Sequence, residues 1–93
     1  MAKAKAPHPE DLMLAQQVKR ATRWSACLHL GPGNRSTVYV EEAGQAGYDG
    51  AVDAAARLNV HSKFGRKAVV YAINALGSFP VDDKLARLAG FAQ

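Results

Sequence analysis

The stretch Arg23-Trp24-Ser25-Ala26-Cys27-Leu28-His29-Leu30-Gly31-Pro32-Gly33-Asn34-Arg35-Ser36-Thr37-Val38-Tyr39-Val40-Glu41 decides the fold. Its first part alternates. Trp24, Ala26, Leu28 and Leu30 are apolar, and Arg23, Ser25, Cys27 and His29 stand between them. Successive side chains of a strand point to opposite faces, so this period predicts a half-buried strand with one apolar face. Gly31-Pro32-Gly33-Asn34 interrupts the pattern with a strong turn signal. Ser36 to Glu41, rich in β-branched and aromatic residues, predicts a second strand. The two strands form a hairpin, with an expected loop of four or five residues.

On the N-terminal side, Leu14, Ala15, Val18 and Ala21 recur at helical spacing and predict a helix over Asp11–Thr22. Glu10 and Asp11 suit the positive end of its dipole. Residues 1–9, with Lys3, Lys5, Pro7 and Pro9, read as a mobile basic tail, and residues 10–93 as one domain. On the C-terminal side, Asp49 is the expected cap of a helix starting near Gly50. Tyr48, Val52, Ala55 and Leu58 form its apolar stripe, and Gly65 is its expected stop. Ala68 to Ile73 predicts a third strand, apolar on both faces. Asn74 to Pro80 reads as irregular. Asp82 caps a short last helix, with Leu85, Leu88 and Ala89, ending at Gly90.

The predicted order is α-β-β-α-β-α, in the α+β class. A small three-stranded antiparallel or mixed sheet is packed by a helix, with terminal helices flanking it. A right-handed crossover brings the third strand parallel to the second. Strand order 2-1-3 is favoured over 1-2-3, because the third strand then pairs antiparallel with the first. The expected core is Trp24, Leu28, Val38, Val40, Val52, Leu58, Val69, Tyr71 and Ile73.

The chain has 93 residues, enough for one core and too few for a full dinucleotide-binding domain. Its 48% hydrophobic and 22% charged content is that of a globular domain rather than a disordered one. One cysteine gives no intramolecular disulfide, so a reduced, cytoplasmic setting is expected. No signal peptide or membrane span is read, and no membrane partner is expected. The formal net charge is +4. It divides as +3 over residues 1–23, −2 over 24–62 and +3 over 63–93. A basic balance of this size permits a polyanionic partner without requiring one.

No motif fixes a chemistry. His61-Ser62-Lys63-Phe64-Gly65-Arg66-Lys67 sets three cations around an aromatic ring and a glycine, a grouping that suits phosphates and an unpaired base. The plainer reading is that cations complement a helix C-terminus and Phe64 packs the cap. Arg57 could extend that patch. Gly31 to Arg35 is glycine-rich, yet phosphate loops lead from a strand into a helix, so a hairpin turn explains it. Arg35 could still reach a ligand from the hairpin tip. Cys27 and His29 share a strand face, with His61 as a conceivable third member. They lack the framework of a nucleophile, and the zinc-ligand count is too small. Of the carboxylates Glu41, Glu42, Asp49 and Asp53, Asp49 is better explained as a cap. Asp53 is better explained as an i,i+4 partner of Arg57.

The expected function is therefore a small non-enzymatic nucleic-acid-binding module. It contacts phosphates through Arg35, Arg57, Lys63, Phe64, Arg66 and Lys67, with no catalytic residue, cofactor or metal. The alternative is a small protein-interaction or inhibitor module, of phage or mobile-element type. It would occlude a partner protein through its hairpin, acidic patch or sheet edge. Homodimerisation through a sheet edge is a further expectation.

Overall fold

The alternation at Arg23 becomes the central strand of a sheet in a computed structural model, which describes residues 8–62 and 65–93. The elements run α1 (Pro9–Lys19), β1 (Arg23–Gly31), β2 (Asn34–Val40), α2 (Gly44–Val60), β3 (Val69–Asn74), β4 (Gly77–Val81) and α3 (Asp83–Leu88). The sheet has four strands, all pairing antiparallel, in the order β2-β1-β3-β4. The α+β class and the 2-1-3 arrangement hold, and β3 runs parallel to β2 as the crossover requires.

The expected third strand is followed by a fourth. Asn74 Oδ1 accepts from the Leu76 amide at 2.7 Å and closes a tight turn in which Asn74 pairs with Gly77. Gly77 sits at φ 140°, a conformation that L side chains rarely adopt. Pro80 hid this strand, because a proline lowers the strand signal of so short a segment. It is tolerated here because β4 is an edge strand. The β1–β2 loop is also tighter than expected. Gly31 pairs with Asn34, leaving Pro32 and Gly33 as the central residues, with Gly33 at φ 69°. Pro followed by a positive-φ Gly is the signature of a type II turn. Such a turn splays strands of natural twist, and the register shift between His29 and Gly31 takes up the mismatch.

Helix α1 starts at Pro9, capped by His8 Nδ1 accepting from the Glu10 amide at 3.2 Å. It stops at Lys19, short of Thr22. Residues 1–7, most of the expected tail, lie outside the described residues. Helix α2 begins at Gly44, six residues before the expected start, so Asp49 is not its cap. Asp49 instead accepts from Gln45 Nε2 at 2.8 Å, one turn away. The helix ends at Val60, and the positive-φ Gly65 turns the loop beyond it. The cap of α3 is as expected: Asp82 Oδ1 accepts from the Leu85 amide at 2.8 Å.

All three helices lie on one face of the sheet. Trp24 and Ala26 of β1, Val70 and Ala72 of β3, and Val81 of β4 share that face by register and join one core. The helices contribute Ala15, Val18, Tyr48, Ala51, Ala54, Ala55 and Ala86. Alanines fill most of this interface and let the helices approach closely. The volume comes from an aromatic cluster: Trp24, Tyr48 and Phe91 have ring centroids 5.3–5.5 Å apart. The C-terminal residues hold it shut. Gln45 both donates to the Ala92 carbonyl and accepts from the Ala92 amide, each at 2.9 Å, and Tyr48 Oη reaches Gln93 Oε1 at 3.2 Å.

The expected core is corrected at several positions. Trp24 and Leu28 are buried, and Val40 and Leu58 are half-buried. Val38 and Val52 are 40% and 43% exposed, because α2 lies over β1 more than over the edge strand β2. Leu30, expected on the apolar face, is exposed near the bulge. Val69, Tyr71 and Ile73 are half-buried. Among the described residues no helix is long and apolar enough to cross a membrane.

Candidate nucleic-acid interface

The second face of the sheet carries no helix among the described residues. It is built by the other half of the alternation. Arg23, Ser25, Cys27 and His29 come from β1, Arg35, Thr37 and Tyr39 from β2, Val69, Tyr71 and Ile73 from β3, and Ser78 and Pro80 from β4. Directly paired residues of antiparallel strands share a face, so the register aligns this set. Ser25 lies between Tyr39 on one side and Tyr71 on the other. Small residues on β1, between Tyr39 and Tyr71 at Ser25 and between Thr37 and Val69 at Cys27, make a trough. That is why Ser25 and Cys27 are buried with no helix above them. Residues from Ser25 to Ser78 line a shallow groove of about 290 Å³. This is at the floor of the range for small-molecule pockets, about 300–1,000 Å³, and suits an extended ligand better.

Cations gather at both ends of the trough. The Arg23 guanidinium lies over the Tyr39 ring, 4.5 Å from its centroid. Its Nε is 3.4 Å from Glu41 Oε1, an ion pair without hydrogen-bond geometry. At the far end His29 pairs with Arg35 across the strands, and Arg66 donates to the His29 carbonyl at 3.4 Å. Tyr39 is 56% exposed.

Of the six residues expected to bind nucleic acid, Arg35 and Arg66 both lie beside His29, Arg35 as its register partner and Arg66 through the His29 carbonyl. Arg57 stands apart on α2, ion-paired to Asp53 at 2.6 Å as the i,i+4 spacing predicts. Lys67 lines a separate groove on the helix side, with Asn59 and Asp83. Lys63 and Phe64 lie outside the described residues. The loop that carries Arg66 is tied down at both ends. Asn59 Oδ1 accepts from the Ala68 amide at 2.6 Å, and the Ser62 hydroxyl donates to the Arg66 carbonyl.

Sequence reasoning missed Arg23, Tyr39 and Tyr71 as surface residues of one site. The signal was present in the same alternation that exposed the strand, since Arg23, Ser25, Cys27, His29, Arg35, Thr37 and Tyr39 are all odd-numbered. What the sequence did not show is that all three helices choose the other face.

Cys27 sits on the floor of the trough. Thr37 Oγ1 donates to its sulfur at 3.4 Å, and His29 Nε2 is 4.0 Å away. A hydroxyl donating to the sulfur and an imidazole at this range make a packed polar contact, without a third group orienting the ring among the described contacts. The acidic set is dispersed: Asp53 is held by Arg57, Asp49 by Gln45, and Glu41 lies against Arg23.

The chain matches no family model, no curated protein and no solved structure.

Proposed function

We propose that the protein is a small non-enzymatic nucleic-acid-binding module that takes a single strand along the helix-free face of its sheet. The observation that carries this is the trough itself: exposed Tyr39 and half-buried Tyr71 flank Ser25, Thr37 and Val69 flank Cys27, Arg23 stands at one end, and at the other Arg35 pairs with His29, whose carbonyl Arg66 meets. Antiparallel sheets that bind single strands use aromatic side chains as platforms for bases and cations for the backbone. Stacking tolerates any base, so limited sequence preference is expected.

Fluorescence anisotropy with labelled single- and double-stranded oligonucleotides over a salt series tests the proposal. Single strands should bind more tightly. Tyr39→Ala should weaken them by about 1–3 kcal/mol, or roughly 5- to 150-fold. Arg35→Ala or Arg66→Glu should lower the log–log salt slope by about 0.7 per lost phosphate contact, while Arg57→Ala should not. No binding to either form at low salt would remove the proposal. The protein-interaction reading would then lead, with the outer edge of β2 as its surface.

A further inference from the structure

The two edges of the sheet are unlike. β4 is five residues long and contains Pro80, which has no N–H to offer a neighbour. β2 is seven residues long, Asn34–Val40, with no proline and no lysine. Its outer row of backbone donors and acceptors carries one charged residue, Arg35, and the irregularity at His29–Gly31 lies at the hairpin end, so Ser36–Val40 is without the usual protections of an edge strand. Val38 is 40% exposed on this edge, although its register partner Ala26 is fully buried.

We propose that β2 pairs with β2 of a second copy of this chain, antiparallel and centred on Val38, to give a continuous eight-stranded sheet. A two-fold dimer of this kind must be self-complementary, because each residue meets its mirror position on the partner. Centring on Val38 places Arg35 of each copy opposite Glu41 of the other. It sets Thr37 opposite Tyr39, Ser36 opposite Val40, and Val38 opposite itself. Opposite charges directly across antiparallel strands attract, and the two exposed valines cover each other. Moving the centre one residue to Thr37 faces Glu41 with Gly33, and moving it to Tyr39 faces Arg35 with Ala43. Neither alternative pairs a charge with its opposite. The helices do not obstruct the contact. α2 lies mainly over β1, and β1 of one copy is three strand spacings from β1 of the other. That is about 14 Å, beyond the 8–10 Å at which helices touch. The dimer joins the two helix-free faces into one surface, with Glu41 of one copy between its own Arg23 and the other copy's Arg35.

Sedimentation equilibrium on the full chain, across a concentration series and without nucleic acid, tests this independently of the binding proposal. A reversible dimer is expected. Arg35→Glu and Glu41→Arg should each weaken it by about tenfold or more, since the C2 axis doubles every change, and the double variant should restore it. Circular dichroism checks that each variant folds. In a Cys27→Ala background, Val38→Cys should cross-link to itself on oxidation, and Ser78→Cys on β4 should not. A monomer at every concentration overturns the proposal. So does a dimer that neither reversal weakens, that the double variant fails to restore, or in which Val38→Cys does not cross-link.

Discussion

Gly47 is where α2 meets the Trp24 indole. A Cβ at this position would collide with the Glu42 carbonyl oxygen and with the indole ring. Both neighbours are fixed, one as backbone and the other inside the aromatic cluster, so neither can yield cheaply. Gly47→Ala should therefore destabilise the fold by about 1–3 kcal/mol, the usual cost of overpacking, despite the better helix propensity of alanine. The midpoint of urea denaturation checks this; an unchanged or raised midpoint would show that the helix can shift. Cys27 presents the opposite case, a reactive residue type in a quiet setting. It is buried, with Thr37 Oγ1 and His29 Nε2 as its polar neighbours. Cys27→Ala should leave oligonucleotide affinity within about twofold and cost a modest amount of packing. Anisotropy on that variant measures it, and a loss of binding at unchanged stability would make Cys27 a contact residue of the trough.

The C-terminal segment behaves as an eighth element although it has no regular structure. Phe91 stacks on Tyr48 at an interplanar angle of 21° and meets Trp24 edge-on at 89°. Gln45 then clamps the Ala92 peptide from both sides. Phe91→Ala should cost about 2–3 kcal/mol from lost burial and ring contacts, with a red shift of Trp24 fluorescence before any unfolding. An unchanged emission maximum would mean that the segment merely rests on the core. None of this was legible in the sequence, where Gly90 marked the end of a helix and nothing tied residues 91–93 to Gln45. The elements that were legible are those with a period: the β1–β2 hairpin, the stripe of α2, and the Asp82 cap. The β4 strand was obscured by Pro80, and the start of α2 by Gly44 and Gly47, which look like loop residues until the packing against Trp24 is seen. The core was legible only at its large members, because alanines such as Ala26, Ala51 and Ala72 carry little signal in a hydrophobic pattern. The candidate site was half legible: the basic character of Arg35 and Arg66 was evident, but the partition of faces that sets Arg35 on the same side as Tyr39 and Tyr71 is tertiary.

At the scale of the whole molecule, the described residues form two layers, a sheet and a layer of helices on one of its faces. Three helices share one face of the sheet, and the opposite face is left with tyrosines, small polar residues and arginines. A face without a covering layer would ordinarily be a solvated polar surface. Here it carries two tyrosine rings and arginines, the groups that the proposed binding would use, on a chain of net charge +4. The three tyrosines divide by layer: Tyr39 and Tyr71 lie on the helix-free face, while Tyr48 is buried in the core at 4% exposure. They form a built-in comparison of the two sides. The most direct measurement is NMR of the tyrosine ring signals during titration with a short single-stranded oligonucleotide at low salt. The Tyr39 and Tyr71 rings should shift progressively on binding, and the Tyr48 ring should stay in place. Rings of Tyr39 and Tyr71 that remain still while the helix layer responds, or no response in any of the three, would contradict binding on the sheet face.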